Sequence, residues 1–236
     1  MVEAVVLAGG LGTRLRPVVS EVPKGMAPIN GRPFLELLLE YWIDQGVRRF
    51  VISVGYLAGQ IRNHFGERWR GADILYAEER EPLGTGGGLL LAASHAQSAD
   101  IIVMNGDSFF AVDLAQLCDF HSARRADWTL SLFRSHDVER YLGLAVAEDG
   151  RVQSLSSKPG KAGALVNGGV YLVRRAALEV LPWRAGQRFS LESDLLPHAL
   201  QASWRTFGRE FASQFIDIGV PDDYQRASTL LRGLCK

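Results

Sequence analysis

The chain has 236 residues, with 26 basic and 26 acidic side chains and a formal charge of zero. Its 47% apolar content is enough for one α/β domain with a large core. Balanced charge argues against a nucleic acid or an anionic membrane surface as the main partner. No stretch reaches the roughly 18–20 apolar residues of a membrane helix. The cysteines, Cys118 and Cys235, lack the spacing of a disulfide framework or a zinc site, so we expect a cytoplasmic protein.

The first part of the chain alternates apolar runs with amphipathic segments. The apolar runs predict strands at Val2–Ala8, Arg49–Gly55, Ala72–Glu78, Ile101–Met104 and Trp128–Phe133. The amphipathic segments predict helices at Pro33–Gln45, Leu57–Phe65, Gly87–Ala96 and Leu114–Arg125. Strands and helices in this order form a parallel sheet that is covered on both faces.

After Arg134 the predicted elements become shorter. They are strands at Gly143–Ala147, Val152–Ser156, Val166–Val173 and Gln214–Ile218, and helices at Leu191–Gln201 and Asp222–Leu234. No linker or internal repeat interrupts the chain. We therefore predict a single domain, residues 1–236, of the α/β class: a Rossmann-like, mixed but mainly parallel sheet with helices on both faces.

A glycine-rich segment, LAGGLGTRLRP from Leu7 to Pro17, follows the first predicted strand directly. Three glycines in four positions let backbone N–H groups approach an anion closely. Arg14 adds a planar, permanently charged group that suits phosphate oxygens. The spacing matches neither the dinucleotide GxGxxG nor the P-loop pattern. The segment alone therefore leaves two interpretations, a phosphate-binding loop or a glycine turn without a ligand.

Two further segments suit a phosphate-binding role. Lys24 lies between Pro23 and Pro28 on stiff backbone, where it can be held over a phosphate, although a solvated surface lysine is the commoner case. The segment EPLGTGGG, Glu81–Gly88, leads into a predicted helix. We predict that it is a second loop of backbone donors at a helix N-terminus, where the helix dipole favours an anion or a polar ligand.

Carboxylates occur at the ends of two apolar strands. Asp107 follows Asn105 and Gly106 after the most apolar strand, a place where open α/β sheets bind ligands and where magnesium can be held jointly with phosphates. An aspartate in a tight turn is the alternative. Asp217 lies inside an apolar strand and needs a partner, of which a metal shared with Asp107 is the simplest. Asp222 and Asp223 are interpreted as residues that begin a helix.

In series, these segments resemble the sugar-1-phosphate nucleotidyltransferase family. The resemblance runs from Val5 to Tyr224 and rests on GGLGTRLRP, PKGMAPI, EPLGTGGG, NGD and DIGVPDDY. It implies the nucleotidyltransferase fold, with a nucleotide-binding half of about residues 1–134 and a sugar-phosphate-binding half of about residues 135–236. It also implies Mg²⁺ as cofactor and a nucleoside triphosphate with a sugar 1-phosphate as substrates, in a bacterial polysaccharide or glycoprotein route.

The resemblance implies roles for individual residues. Nucleotide contacts fall on Leu7, Ala8, Gly9, Gly10, Gly12, Thr13, Arg14, Lys24, Glu79, Pro82, Gly84, Thr85, Asn105 and Gly106. Sugar-phosphate contacts fall on Gly143, Lys158, Asn167, Gly168, Arg188 and Glu192. The catalytic group is Arg14, Lys24 and Asp107, and the metal ligands are Asp107 and Asp217. Two positions depart from the family: Gly25 replaces a proline after the lysine, and Ser157 replaces a glutamate before Lys158.

Glu79 bears on the choice of nucleotide. In the family, the residue five positions before the glycine of the LGT segment contacts the edge of the base, and Glu79 occupies that position here. An ionised carboxylate only accepts hydrogen bonds, and its two oxygens match the N1–H and N2 amino donors of guanine. Uracil and thymine would place carbonyl oxygens against it. We therefore predict GTP as the donor; the alternative is that Glu79 is a solvated charge at a strand end.

The expected chemistry is consistent with these residues. A sugar 1-phosphate has a second pKa of about 6, so it is largely ionised at pH 7 and needs no general base. Two polyanions repel each other, which calls for cations, backbone donors and in-line positioning. The family resemblance points to a manno-heptose 1-phosphate, with mannose 1-phosphate or a uridylyltransferase activity as alternatives. A catalytically silent sugar-nucleotide sensor and a metal-dependent glycosyltransferase are the competing classes, and the sequence leaves a homodimer open.

Overall fold

The computed structural model describes residues 2–10, 12, 15, 19, 21–135, 137, 141–159 and 162–234. Its strands, in chain order, are β1 (Glu3–Ala8), β2 (Pro28–Ile29), β3 (Arg32–Pro33), β4 (Arg49–Val54), β5 (Arg68–Trp69), β6 (Ala72–Glu78), β7 (Asp100–Asn105), β8 (Ser108–Phe110), β9 (Trp128–Ser135), β10 (Leu142–Val146), β11 (Val152–Pro159), β12 (Ala164–Arg174), β13 (Thr206–Glu210) and β14 (Phe215–Asp217). Its helices are α1 (Phe34–Asp44), α2 (Ala58–Phe65), α3 (Gly84–Ala93), α4 (Leu114–Ala123), α5 (Arg175–Leu178), α6 (Leu196–Gln201) and α7 (Pro221–Leu230). Short 3₁₀ turns occur at Lys24–Met26 and Arg232–Leu234, and a π turn at Leu191–Leu195 precedes α6.

The central sheet is mixed, with a parallel centre. Strands β7, β1, β4 and β6 run parallel to one another, in that order across the sheet. Strand β12 adds antiparallel to β7, and β9, β10 and β11 continue that side of the sheet. Strand β13 pairs parallel with β9. This architecture confirms the α/β class and the predicted mixed sheet.

Helices cover both faces of the sheet because the side chains of β1 alternate between two cores. Ala4 and Val6 pack in one core with Trp42 of α1. Val5 packs in the other core with Leu89 of α3. None of the helices in the described ranges has the length and apolar character that crossing a bilayer requires.

The largest correction to the predicted elements concerns α3 and the strand after α6. Helix α3 begins at Gly84 instead of Gly87 and ends at Ala93 instead of Ala96. From the sequence, Gly84–Gly86 were interpreted as part of a loop that leads into the helix, and glycine's low helix propensity favours that interpretation. Strand β13 was not predicted, since Gly208 interrupts its pattern of alternation. A Cβ on Gly208 would collide with the Leu132 side chain, so the glycine allows β13 to lie against its neighbour β9.

Candidate active site

Two adjoining cavities open where β1 and β7 end. The first, which we name the glycine-loop cavity, has a volume of ≈ 360 Å³. It is lined by Leu7, Ala8, Gly9, Gly10, Gly12, Lys24, Gly25, Glu79, Pro82, Gly84, Thr85, Asn105, Gly106, Asp107 and Arg188. It therefore collects the described residues that the sequence assigned to the nucleotide; Thr13 and Arg14 lie outside the described residues.

The second cavity, which we name the β12 cavity, has a volume of ≈ 330 Å³. It is lined by Asn105, Asp107, Ser108, Tyr141, Gly143, Leu144, Leu155, Asn167, Gly168, Gly169, Glu192, Leu196, Phe215 and Asp217. Four residues assigned to the sugar phosphate are among them. Lys158 belongs to β11, and its side chain lies outside the described residues. Asn105 and Asp107 line both cavities and mark their junction.

Arg188, which the family resemblance assigns to the sugar phosphate, lines the glycine-loop cavity and not the β12 cavity. The cause is the anchoring of its neighbour Phe189, whose N–H donates to the Leu83 carbonyl at 3.0 Å and whose carbonyl accepts from the Gly86 N–H at 3.0 Å. These bonds hold the segment against the first turn of α3 and bring Arg188 to the glycine-loop cavity.

The glycines of α3 serve a different contact from the one predicted. The N–H groups of Gly86 and Gly87 both donate to the Phe189 carbonyl, at 3.0 and 3.3 Å, so these two amides are not available to a ligand. A Cβ on Gly84 or Gly86 would collide with Phe189. The prediction of a ligand-binding backbone loop is therefore wrong for these two amides, because the Phe189 carbonyl accepts the hydrogen bonds that a ligand would accept.

Lys24 lies between two carboxylates at the junction of the cavities. Its Nζ is 2.5 Å from Asp107 Oδ2 and 3.7 Å from Asp217 Oδ1, and only 11% of its side chain is exposed. The interpretation of Lys24 as a solvated surface lysine is thus excluded. Asp217 Oδ1 also accepts from the Gly219 N–H at 2.7 Å. Asp217 therefore has a lysine and a backbone amide among its partners.

The two aspartates meet because two short strands pair. Strand β8 starts directly after Asp107, and β14 ends at Asp217; in their antiparallel pairing Asp217 lies opposite Ser108. The Ile218 N–H donates to the Asp107 carbonyl at 3.0 Å and completes the connection. A pairing across more than 100 residues thus brings the NGD segment and the DIGVPDDY segment together.

The carboxylate pair suits a divalent cation. Carboxylate oxygens are the ligands that Mg²⁺ prefers, usually one or two of them together with phosphate oxygens and water. The side chains of Asp107 and Asp217 are 36% and 21% exposed, and both line the β12 cavity. Within the described residues, no cluster of three or more His, Cys, Asp or Glu could hold a metal alone. Substrate phosphates would therefore have to complete the coordination.

Glu79 is held in place at the wall of the glycine-loop cavity. Its Oε1 accepts from the Ser53 hydroxyl at 2.7 Å, and its Oε2 accepts from the Leu83 N–H at 2.9 Å. Because each carboxylate oxygen has two lone pairs, one on each oxygen remains for a ligand. A Cβ on Gly9 or Gly88 would collide with the carboxylate, so both glycines make room for it. Glu79 is therefore not a solvated charge at a strand end.

Asn167, predicted to contact the sugar, is oriented from both ends of its amide. Its Oδ1 accepts from the Gly169 N–H at 3.0 Å, and its Nδ2 donates to the Tyr171 hydroxyl at 2.6 Å. Tyr171 is fully buried. Burial first, and then the negative charge of Glu192, raise the pKa of Tyr171 well above its usual value, so its hydroxyl stays protonated.

Replacing Tyr171 with phenylalanine is expected to lower the free energy of unfolding by about 1–3 kcal/mol, because the Asn167 amide loses its acceptor. Urea titrations of both proteins measure the difference. Tyr76→Phe is the matched control, since the Tyr76 hydroxyl donates to the Gly66 carbonyl in an exposed setting. A loss for Tyr171→Phe no larger than that for Tyr76→Phe would contradict the role of Tyr171.

Ser53 and Tyr171 were not identified from the sequence as residues that position Glu79 and Asn167. Both are buried polar residues inside apolar strands, and such residues need hydrogen-bond partners. That signal is readable in RFVISV and in NGGVYLV, but the identity of each partner depends on the fold.

The comparisons with known proteins identify the family of this chain. The Nucleotidyl transferase family model matches residues 3–232. The chain is 39% identical, over 98% of each protein, to D-glycero-alpha-D-manno-heptose 1-phosphate guanylyltransferase of Aneurinibacillus thermoaerophilus. It is 36% identical to the enzyme of that name from Campylobacter jejuni, over 94% of this chain and 96% of the relative. The crystal structure of HddC from Yersinia pseudotuberculosis complexed with GMP-PN is 34% identical, with a TM-score of 0.85, over 98% of this chain and 100% of HddC. The chain belongs to the nucleotidyl transferase family.

Proposed function

We propose that this protein transfers GMP from GTP to D-glycero-α-D-manno-heptose 1-phosphate, giving a GDP-heptose and pyrophosphate. The observation that carries the proposal is the junction of the two cavities, where Lys24 lies between Asp107 and Asp217. A reaction between two phosphorylated substrates needs such a junction, with a cation beside both phosphates. The activity of the relatives from Aneurinibacillus thermoaerophilus and Campylobacter jejuni, which are named as heptose 1-phosphate guanylyltransferases, supports the donor and the sugar.

In the proposed complex, GTP occupies the glycine-loop cavity and the sugar 1-phosphate occupies the β12 cavity. An oxygen of the sugar phosphate attacks the α-phosphorus of GTP, and the bond from that phosphorus to the β,γ-pyrophosphate breaks. The attacking phosphate is already ionised, so no side chain has to remove a proton. Lys24 stabilises the negative charge that shifts towards the pyrophosphate, and Arg14 has the same role in the family pattern.

Mg²⁺ is the proposed cofactor, with Asp107 and Asp217 as its protein ligands. Both carboxylates lie at the junction, where phosphate oxygens of both substrates would meet them. When bound, the ion would draw negative charge from the phosphate oxygens and hold them in line for the displacement.

The two halves of the chain divide the substrates in this proposal. Residues of about 1–134 supply most of the glycine-loop cavity, and residues of about 135–236 supply most of the β12 cavity. Arg188 crosses this division, since it lies in the second half and lines the glycine-loop cavity.

The function is tested with a matrix of four nucleoside triphosphates against heptose, mannose and N-acetylglucosamine 1-phosphates, with pyrophosphate release as the signal. We expect the highest kcat/KM for GTP with the heptose phosphate. Equal or better use of mannose 1-phosphate would refute the heptose assignment and leave a guanylyltransferase. Absence of pyrophosphate with every pair would instead favour a non-catalytic sensor or a glycosyltransferase.

Glu79→Gln is expected to weaken discrimination against UTP by about 1–3 kcal/mol, which is the value of one charge-assisted contact in a partly dried cavity. Glutamine keeps an acceptor for Ser53 or for Leu83 but replaces the other oxygen with a donor. The measurement is the ratio of kcat/KM for GTP to that for UTP. Glu78→Gln is the control, because Glu78 is exposed and pairs with Arg62 outside the cavity. Wild-type protein that uses UTP as well as GTP would exclude Glu79 as the residue that recognises the base.

A further inference from the structure

Thr85 connects the two cavities through its side chain, away from the Lys24–Asp107 junction. The residue lines the glycine-loop cavity, among the groups assigned to the nucleotide. Its hydroxyl, however, donates to Glu192 Oε2 at 2.8 Å, and Glu192 lines the β12 cavity. A side chain from the nucleotide side thus contacts a carboxylate on the sugar side.

The direction of this hydrogen bond is fixed by a second one. The Leu191 N–H donates to Thr85 Oγ1 at 2.8 Å, so the hydroxyl oxygen is an acceptor towards Leu191. An ionised carboxylate can only accept, so the single hydroxyl proton of Thr85 must point to Glu192. Thr85 therefore has no proton left to donate to a phosphate of the nucleotide.

The two oxygens of Glu192 differ in consequence. Oε2 accepts from Thr85 and also from the Ser190 hydroxyl at 3.2 Å. Oε1 has no hydrogen-bond partner among the described residues and belongs to a side chain that lines the β12 cavity. One oxygen is anchored to the protein, and the other is left for a ligand with hydroxyl donors. A carboxylate held at one oxygen presents the other in a fixed place, which lowers the entropy cost of binding.

We infer that Thr85 is a positioning residue for Glu192 and sets the affinity for the sugar 1-phosphate, instead of binding the nucleotide. The inference rests on the proposed function in one respect, the placement of the sugar in the β12 cavity. Through Thr85, helix α3 holds the sugar-binding carboxylate, while the backbone of the same helix borders the nucleotide.

The test uses Thr85→Val, which keeps the shape of the side chain and removes the hydroxyl. We expect the KM for the sugar 1-phosphate to rise about 10- to 100-fold, because Glu192 loses the hydrogen bond that anchors it and a misplacement of about 1 Å can cost up to about 100-fold. The KM for GTP should change less than about threefold. Thr85→Ser keeps the hydroxyl and should restore the wild-type KM. Ser94→Ala is the matched control, since it removes an exposed hydroxyl from the far end of α3. A rise in the KM for GTP alone, or no change in either KM, would overturn the inference.

A double-mutant cycle separates positioning from simple destabilisation. If Thr85 acts through Glu192, Thr85→Val should have no further effect on kcat/KM for the sugar 1-phosphate in a Glu192→Ala background. Additive effects would overturn the inference. Thr85→Val removes the acceptor of the Leu191 N–H, which can prevent folding. If the valine variant does not fold, Thr85→Cys is used in the cycle instead, because its thiol is only a weak donor and acceptor.

Calorimetric titrations distinguish the two ways of failing. Wild-type protein that binds neither GTP nor a sugar 1-phosphate would refute the proposed function. Wild-type protein that binds both, together with a Thr85→Val protein whose affinity falls for GTP but not for the sugar 1-phosphate, would refute only the role of Thr85.

Discussion

Replacement of Asp107 or Asp217 by asparagine is expected to reduce kcat at least about 100-fold in a protein that still folds, because each change removes one charge from the proposed magnesium site. Asparagine keeps the size and the acceptor oxygen of aspartate, so the β8–β14 pairing and the Gly219 contact can persist. The measurements are steady-state pyrophosphate release and a circular dichroism spectrum. Chelation should stop the wild-type enzyme, and added magnesium should restore it.

Asp222→Asn is the matched control for this prediction. Asp222 lies only five positions from Asp217, in the first turn of α7, and lines neither cavity. Its replacement removes the same charge close by in sequence and should leave kcat within about twofold of wild type, as expected for a surface position. Near-normal turnover of Asp217→Asn would contradict the shared-metal proposal, whereas a loss in Asp107→Asn alone would assign the metal to Asp107 and exclude Asp217.

The fold was predictable to the extent that local patterns determine it. Strands such as Ala72–Glu78 are apolar runs bounded by turn residues, and the structure has the same bounds. The antiparallel position of β12 beside β7 was not predictable, because nothing local to residues 164–174 states which strand they join. Two differences involve glycines: the predicted helix starts after Gly84, and β13, which contains Gly208, was not predicted, whereas the structure uses both glycines for close packing.

The candidate site was predictable where a motif follows a strand. The glycine segment at the end of β1 and the Asn105–Asp107 segment at the end of β7 come together because parallel strands end at the same edge. The sequence could not show that Lys24 is the partner of Asp217, since the two lie 193 positions apart and meet through the β8–β14 pairing. Nor could it show that the amides of Gly86 and Gly87 are taken by Phe189. A run of glycines indicates that another group lies close to the backbone, but it does not show whether that group belongs to a ligand or to another segment of the chain.

At the junction of the cavities, the positive charge of Lys24 lies beside the negative charges of Asp107 and Asp217. Without substrates, the ammonium of Lys24 compensates the negative charges of Asp107 and Asp217 in a mostly buried position. The proposed substrates bring many further negative charges to this place. The same lysine is therefore expected to exchange carboxylate contacts for phosphate contacts during the reaction, and its removal should affect both states.

Lys24→Ala is expected to lower kcat about 10²- to 10³-fold, the usual cost of removing one group that stabilises charge in the transition state. The KM for the sugar 1-phosphate should change much less, because charge shifts to the pyrophosphate mainly in the transition state. Steady-state kinetics with each substrate varied in turn measure both constants. Arg80→Ala is the control, since Arg80 is exposed and lines neither cavity.

A second readout keeps this prediction independent of turnover. Lys24→Met removes the charge but keeps most of the length of the side chain, and it leaves Asp107 and Asp217 without their compensating cation. The free variant should therefore bind Mg²⁺ or Mn²⁺ more tightly than the wild type, because the lysine no longer repels a second cation a few ångströms away. Calorimetric titration with the metal alone measures this affinity. Tighter metal binding together with a large loss of kcat would assign Lys24 to the reacting phosphates. An increase in KM without a loss of kcat would instead make Lys24 a binding residue and exclude its catalytic role.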